Sequence, residues 1–169
     1  GTLKLGAAFT AFQFRNGRIA GAELSDGAVL SADAFVSALP FDVLAQSLPD
    51  GLMADPYFSG VARLEVSPIV GIHLWYDRQV MAQSFVGFLD SPVQWVFNRS
   101  LIQGSDDQSG QYLCISISGA WDFIDMPKEA IRDVFAREME RLFPGARDAR
   151  IERCLVVKEP RATFRCIPG

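Results

Sequence analysis

Residues 17–40 read GRIAGAELSDGAVLSADAFVSALP, and this stretch decides the fold. Arg18 to Leu24 alternate apolar with small or polar residues, the period of a half-buried strand. Ser25-Asp26-Gly27 supplies a tight turn, because glycine accepts the positive φ that such turns need. Val29 and Leu30 begin a return strand. Ala32-Asp33 then leads into residues 34–39, a nearly continuous apolar run suited to a strand buried on both faces. Pro40 stops that strand, and Asp42 to Leu48 read as a helix entry. Upstream, residues 8–14 form a strand joined to the next by Asn16-Gly17, a favoured hairpin turn.

Further along, residues 41–48 predict a short helix broken at Pro49-Asp50-Gly51, and residues 55–64 a second helical stretch with Pro56 near its start. The strongest strand is residues 66–76. Its Ile69, Gly71, His73 and Trp75 point one way, and Val70, Ile72, Leu74 and Tyr76 the other. Residues 85–89 and 93–97 form a hairpin, and residues 111–118 return as a strand. Between them GSDDQSG, residues 104–110, reads as an exposed, mobile loop in which Asp106-Asp107 is simply solvated. Pro127-Lys128-Glu129 starts a helix running to about Leu142, with Ile131, Phe135, Met139 and Leu142 at helical spacing. Residues 149–157 make the last strand. Strands interrupted by one long helix, without regular βαβ alternation, predict an α+β protein: a mostly antiparallel or mixed sheet with flanking helices.

Composition narrows the classes. Of the 169 residues 49% are apolar and 21% charged, enough to bury a core. A net charge of −4 without a Lys/Arg cluster argues against nucleic acid. The three cysteines are widely separated and the single histidine cannot build a His-rich metal site, so no metal is expected. Cys114, inside an apolar run, reads as a small buried hydrophobe, in keeping with a reducing cytoplasm. Neither a membrane-spanning run nor a signal peptide is visible. Ser37 and Ser116 lack a nucleophile elbow, which sets acyl transfer aside.

The run DGAVLSADAFVSALP resembles the "G-x-x-L-x-A-D-x-V-V-x-A-x-P" end of the β-meander in a flavoprotein family. That family comprises amine oxidases, phytoene desaturases, protoporphyrinogen oxidases and squalene-associated desaturases. SPIVGIHLWYD, VQWVFNR and KEPRATF resemble three further motifs of the family, those of its squalene-associated, hydroxysqualene dehydroxylase branch. The resemblance implies an FAD-dependent oxidoreductase acting on a squalene-like isoprenoid. Within that frame residues 1–40 are a remnant of the FAD domain, 41–66 a helical connection and 67–169 a substrate-binding domain. A glycine-rich dinucleotide fingerprint is absent, so the chain reads as a middle portion, inactive alone and not expected to hold FAD by itself. Its partners would be the rest of the same polypeptide and an apolar small molecule, in a cytoplasmic enzyme peripheral to the inner membrane. The alternatives are an amine or protoporphyrinogen oxidase of the same fold, or a flavin-free lipid-binding module.

No catalytic residue is assigned. Trp75, Tyr76, Phe85, Phe88, Trp95 and Phe97 come from successive strands and could wall an isoprenoid tunnel; sheet core is the plainer reading for any one of them. The substrate-contacting candidates are Trp95, Trp75, His73, Phe97 and Asn98. His73 reads as a hydrogen-bonded sheet histidine ahead of a general base, since nothing completes a triad. Asn98 stands where the family motif has an acidic residue, so no carboxylate role carries over to it. Asn98-Arg99 and Arg161 could instead orient a polar group, with solvated ion pairs as the plainer reading. By resemblance, the strand around Phe9 gives main-chain contact to the adenine of FAD, and Arg161 lies in a segment running toward the flavin.

Overall fold

A computed structural model describes residues 1–104 and 110–167. The loop expected at residues 104–110, with Asp106 and Asp107, lies almost wholly outside the described residues. The chain forms two units, Gly1–Leu64 and Glu65–Gly169. All strand pairs are antiparallel, and helices flank the larger sheet. The protein is α+β.

The first unit is a meander of β1 (Phe9–Arg15), β2 (Arg18–Leu24) and β3 (Val29–Leu30) in that spatial order. Asn16 and Gly17 both have positive φ, 50° and 72°, as a two-residue hairpin turn with the right twist demands. Short helices follow: α1 (Phe41–Ser47), α2 (Asp50–Met53), α3 (Pro56–Ser59) and a 3-10 turn at Val61–Arg63. Pro49-Asp50 thus starts a helix as well as ending one, because proline is tolerated just before the first turn. One expectation is corrected. Residues 34–39 form no strand, and Val36 is 96% exposed. A strand buried on both faces needs hydrogen-bonded neighbours and covering layers, and neither meets this run among the described residues.

The second unit carries the core. Its five strands are β4 (Val66–Tyr76), β5 (Phe85–Gly87), β6 (Trp95–Asn98), β7 (Gln111–Ser118) and β8 (Ile151–Phe164), in the spatial order β5-β6-β7-β4-β8. Between them lie α4 (Arg99–Ile102), α5 (Trp121–Ile124) and α6 (Lys128–Leu142). The last strand is longer than residues 149–157 and absorbs Lys158-Glu159-Pro160-Arg161. Val70, Ile72, Leu74, Leu113, Ile115, Val96 and Val156 pack with Ile131, Phe135 and Met139 of α6 in one cluster. Each fully buried large side chain contributes about 1.5–3 kcal/mol. Lys158 ties the layers together by donating to the carbonyls of Ile124 and Met126 beside α5. Tyr76 and Phe88, grouped by sequence with the tunnel aromatics, belong to this core. Tyr76 is buried, with its phenol pKa pushed up by desolvation, and Phe88 meets Phe143 edge to face at 5.6 Å.

Asn98 also departs from expectation. It falls on the core face of β6 and is buried. Its Nδ2 donates to the Met81 carbonyl at 3.1 Å, and its Oδ1 accepts from the Leu101 amide at 3.1 Å, capping α4. Gln111 completes the clamp, accepting from the Val80 and Met81 amides and donating to the Met81 carbonyl. Only an amide both donates and accepts here; a carboxylate would face the Met81 carbonyl with no proton to offer. Replacing Asn98 by Asp (N98D) should therefore destabilise the protein by about 1–3 kcal/mol at neutral pH. The deficit should shrink on acidification, as the introduced carboxyl gains a proton; chemical denaturation at two pH values measures both effects.

Candidate functional site: the open face of the second sheet

The pleat of β4 sends Ile69, Gly71, His73 and Trp75 to the face opposite the core. Register then decides which residues join them. β7 places Ser118, Ser116, Cys114 and Tyr112 beside those four, and β8 places Glu159, Val157, Leu155 and Arg153 on their other side. From β6, Trp95 lies opposite Ser116 and Phe97 opposite Cys114, and Phe85 of β5 pairs with Phe97. The result is an apolar, aromatic sheet face on which Phe85 (57%), Trp95 (45%), Leu155 (43%) and Val157 (42%) are exposed. Apolar side chains gathered on one exposed face mark a surface meant to be covered by a ligand or partner.

The rings are ordered. Trp75 stacks on Tyr112 with centroids 4.5 Å apart and 9° between planes, and Trp95 stacks beside Phe97 at 6.3 Å. The Arg153 guanidinium lies 4.7 Å from the Trp75 ring centre, a cation–π contact. Gly87 makes room for Trp95, since a Cβ there would stand 3.0 Å from the indole. His73 Nδ1 is 2.7 Å from the Tyr112 hydroxyl. Burial, reinforced by the positive charge of Arg99, pushes the His73 pKa below its ordinary value. Burial also raises the Tyr112 phenol and the Cys114 thiol, so all three groups are uncharged near neutral pH. A wall with three muted titratable groups suits an apolar ligand.

Of the five substrate-contacting candidates, Trp95, Trp75, His73 and Phe97 lie on this face, and Asn98 lies behind it. Tyr112, Arg153, Leu155 and Val157 join them although sequence reading did not single them out. Only the strand register reveals those four. Arg161 is exposed in β8, already engaged within the protein, where β8 carries two residues more than β4 between Glu159 and Thr163. Among the described residues no cluster of His, Cys, Asp or Glu could hold a metal ion, and no helix is long and apolar enough to cross a membrane.

In the first unit, Ala8 turns both main-chain groups toward Ser25: its amide donates to Ser25 Oγ at 3.2 Å and its carbonyl accepts from the Ser25 amide at 2.8 Å. Main-chain direction alternates along an extended chain, and among the described residues β1 is paired only with β2. The N–H and C=O of Phe9 therefore face the unpaired edge, the donor–acceptor pair that an adenine rim would need.

A three-stranded meander and a five-stranded antiparallel sheet with helices on its core side are the parts that known proteins can be compared with. The chain matches the family model for flavin containing amine oxidoreductases over residues 1–163, and it belongs to that family. The cofactor of the whole enzyme is FAD. It is 34% identical over 158 residues to a 15-cis-phytoene desaturase of Synechococcus elongatus, covering 90% of this chain and 33% of that protein. The chain thus spans about a third of that curated relative. Among solved structures, an oxidoreductase from Methanosarcina mazei matches with a TM-score of 0.69 at 17% identity, over 92% of this chain and 38% of that one. A protein described as a putative protoporphyrinogen oxidase from Exiguobacterium sp. 255-15 matches with a TM-score of 0.64 at 12% identity, over 94% and 35%. Both share its fold.

The single histidine gives a clean probe of the face. Its folded pKa lies below the unfolded value of 6.5, so the unfolded chain binds the proton more readily. Stability from this group is complete above pH 6.5 and declines as pH falls through 6.5 toward the lowered folded value. NMR titration of the His73 ring should show a midpoint below 6.5 in the folded protein and one near 6.5 in denaturant. Equal midpoints would contradict the buried setting.

Proposed function

We propose that this chain is the substrate-binding portion of an FAD-dependent oxidoreductase of the desaturase or dehydroxylase type. Its substrate is a squalene-like isoprenoid, and the portion alone does not turn over. The observation that carries the reading is the aromatic open face of the second sheet, on which His73, Tyr112 and Cys114 are uncharged rather than arranged as an acid–base pair. Such a surface binds by excluding water and fixing the pose of a long apolar chain.

When bound, FAD would supply the two-electron redox chemistry that the side chains lack. This chain's own residues do the rest. The Phe9 main chain offers the free edge of β1 to the adenine. Trp95, Phe97 and Trp75 hold the isoprenoid, and their ring faces favour positive charge developing on an allylic carbon. The exposed apolar run around Val36 supports a reading in which further polypeptide of the same chain covers it. An isoprenoid of this kind resides in lipid, so the parent works as a cytoplasmic enzyme peripheral to the membrane. The 34% identity to a 15-cis-phytoene desaturase favours a second reading within the class, a longer isoprenoid hydrocarbon as substrate.

The full-length protein tests both. It should purify yellow; once its flavin has been reduced anaerobically, addition of hydroxysqualene should restore the yellow oxidised form as the alcohol is reduced and its oxygen leaves as water, whereas bleaching of the oxidised flavin by phytoene would favour the second reading. Trp95→Ala should lower kcat/KM by about tenfold or more, the scale of losing one buried aromatic anchor. A colourless protein, or a flavin that is reduced by an aliphatic amine but exchanges electrons with neither isoprenoid, would contradict the proposal.

A further inference from the structure

On the open face the His73 ring presents a nitrogen for which no partner is found among the described residues. His73 Nδ1 is occupied by the Tyr112 hydroxyl at 2.7 Å. A phenol O–H is the stronger donor of the two and imidazole nitrogen the stronger acceptor, so Tyr112 donates and the ring proton resides on Nε2. Nε2 lies over Gly71, where a Cβ would stand 3.5 Å from it, and no hydrogen bond to Nε2 occurs among the described residues. Its surroundings are mostly apolar: in register Leu155 flanks His73 on one side and Cys114 on the other, while Gly71 lies between Val157 and Ser116, whose hydroxyl is the nearest polar group in register.

On an uncovered face that N–H is within reach of solvent. An apolar molecule spread over the face strips the water away, and a buried donor left unpaired weakens binding by about ten- to hundredfold. A molecule presenting one oxygen at that point avoids the loss. A site built to bond a substrate oxygen discriminates far more strongly than an apolar pocket that merely tolerates one. Tyr112 fixes which nitrogen carries the proton, and Gly71 leaves room above the sheet for the oxygen.

We propose that His73, held in one tautomer by Tyr112, is a specificity-determining residue whose Nε2–H, above Gly71, donates to a single hydroxyl or carbonyl oxygen on an otherwise apolar isoprenoid. The inference rests on the reading of this face as an isoprenoid wall. It selects oxygenated isoprenoids over pure hydrocarbons of the same length.

The test uses the full-length, FAD-loaded protein and two probes, squalene and hydroxysqualene, with binding followed by perturbation of the flavin absorption. The wild type should bind the alcohol about ten- to hundredfold more tightly. His73→Phe should bring the two within about threefold while squalene binds as well as before or better. Tyr112→Phe, which frees the tautomer, should lose part of the preference, and Gly71→Ala should weaken the alcohol alone. If His73→Phe loses its near-UV signature of folding, the other two variants decide, and an unchanged ratio in both overturns the proposal. Equal binding of both probes by the wild type overturns it while leaving the isoprenoid wall standing. Failure of the wild type to bind either probe overturns the wall and this proposal together.

Discussion

The second unit depends on the interior position of β4 in its sheet. It is hydrogen-bonded along both edges, to β7 and to β8, so its residues cannot slip or roll without breaking two ladders. A pleated strand held that way must divide its side chains strictly. Val70, Ile72, Leu74 and Tyr76 go to the core; Ile69, Gly71, His73 and Trp75 go to the open face. A one-residue shift would bury a histidine and expose three fully buried aliphatic side chains, at several kcal/mol. Core and site are therefore two consequences of one alternation.

The same division explains why Asn98 and Phe97, adjacent in one motif, have different duties. Phe97 looks out with Trp95. Asn98 looks in, where its amide serves Met81 and caps α4. Gln111 works from the next strand on the same loop, so two buried amides hold residues 79–81 in place. Among the described residues no buried side-chain nitrogen or oxygen of that clamp is left without a partner.

Much of this is readable before any coordinates. The Asn16-Gly17 turn, the alternation of residues 66–76 and the helical spacing of Ile131, Phe135 and Met139 are local patterns, and they appear where periodicity puts them. Residues 34–39 mislead because a run of apolar residues specifies burial without saying what buries it, and burial depends on distant chain. The face of Asn98 is invisible in its motif, since the strand start sets the parity. Tyr112, Arg153, Leu155 and Val157 stay hidden for another reason. They reach the site only through antiparallel register, and β8, the last strand in sequence, pairs with β4 rather than with its predecessor.

The central claim is that one face of this sheet, and not the opposite one, receives an apolar ligand. Photolabelling of the full-length, FAD-loaded protein with a squalene analogue bearing an aliphatic diazirine, mapped by mass spectrometry, tests it directly. Labels on Trp75, Trp95, Phe97, Leu155 or Val157 are the predicted result. Labels confined to the α6 side, or to residues outside the sheet altogether, would contradict it.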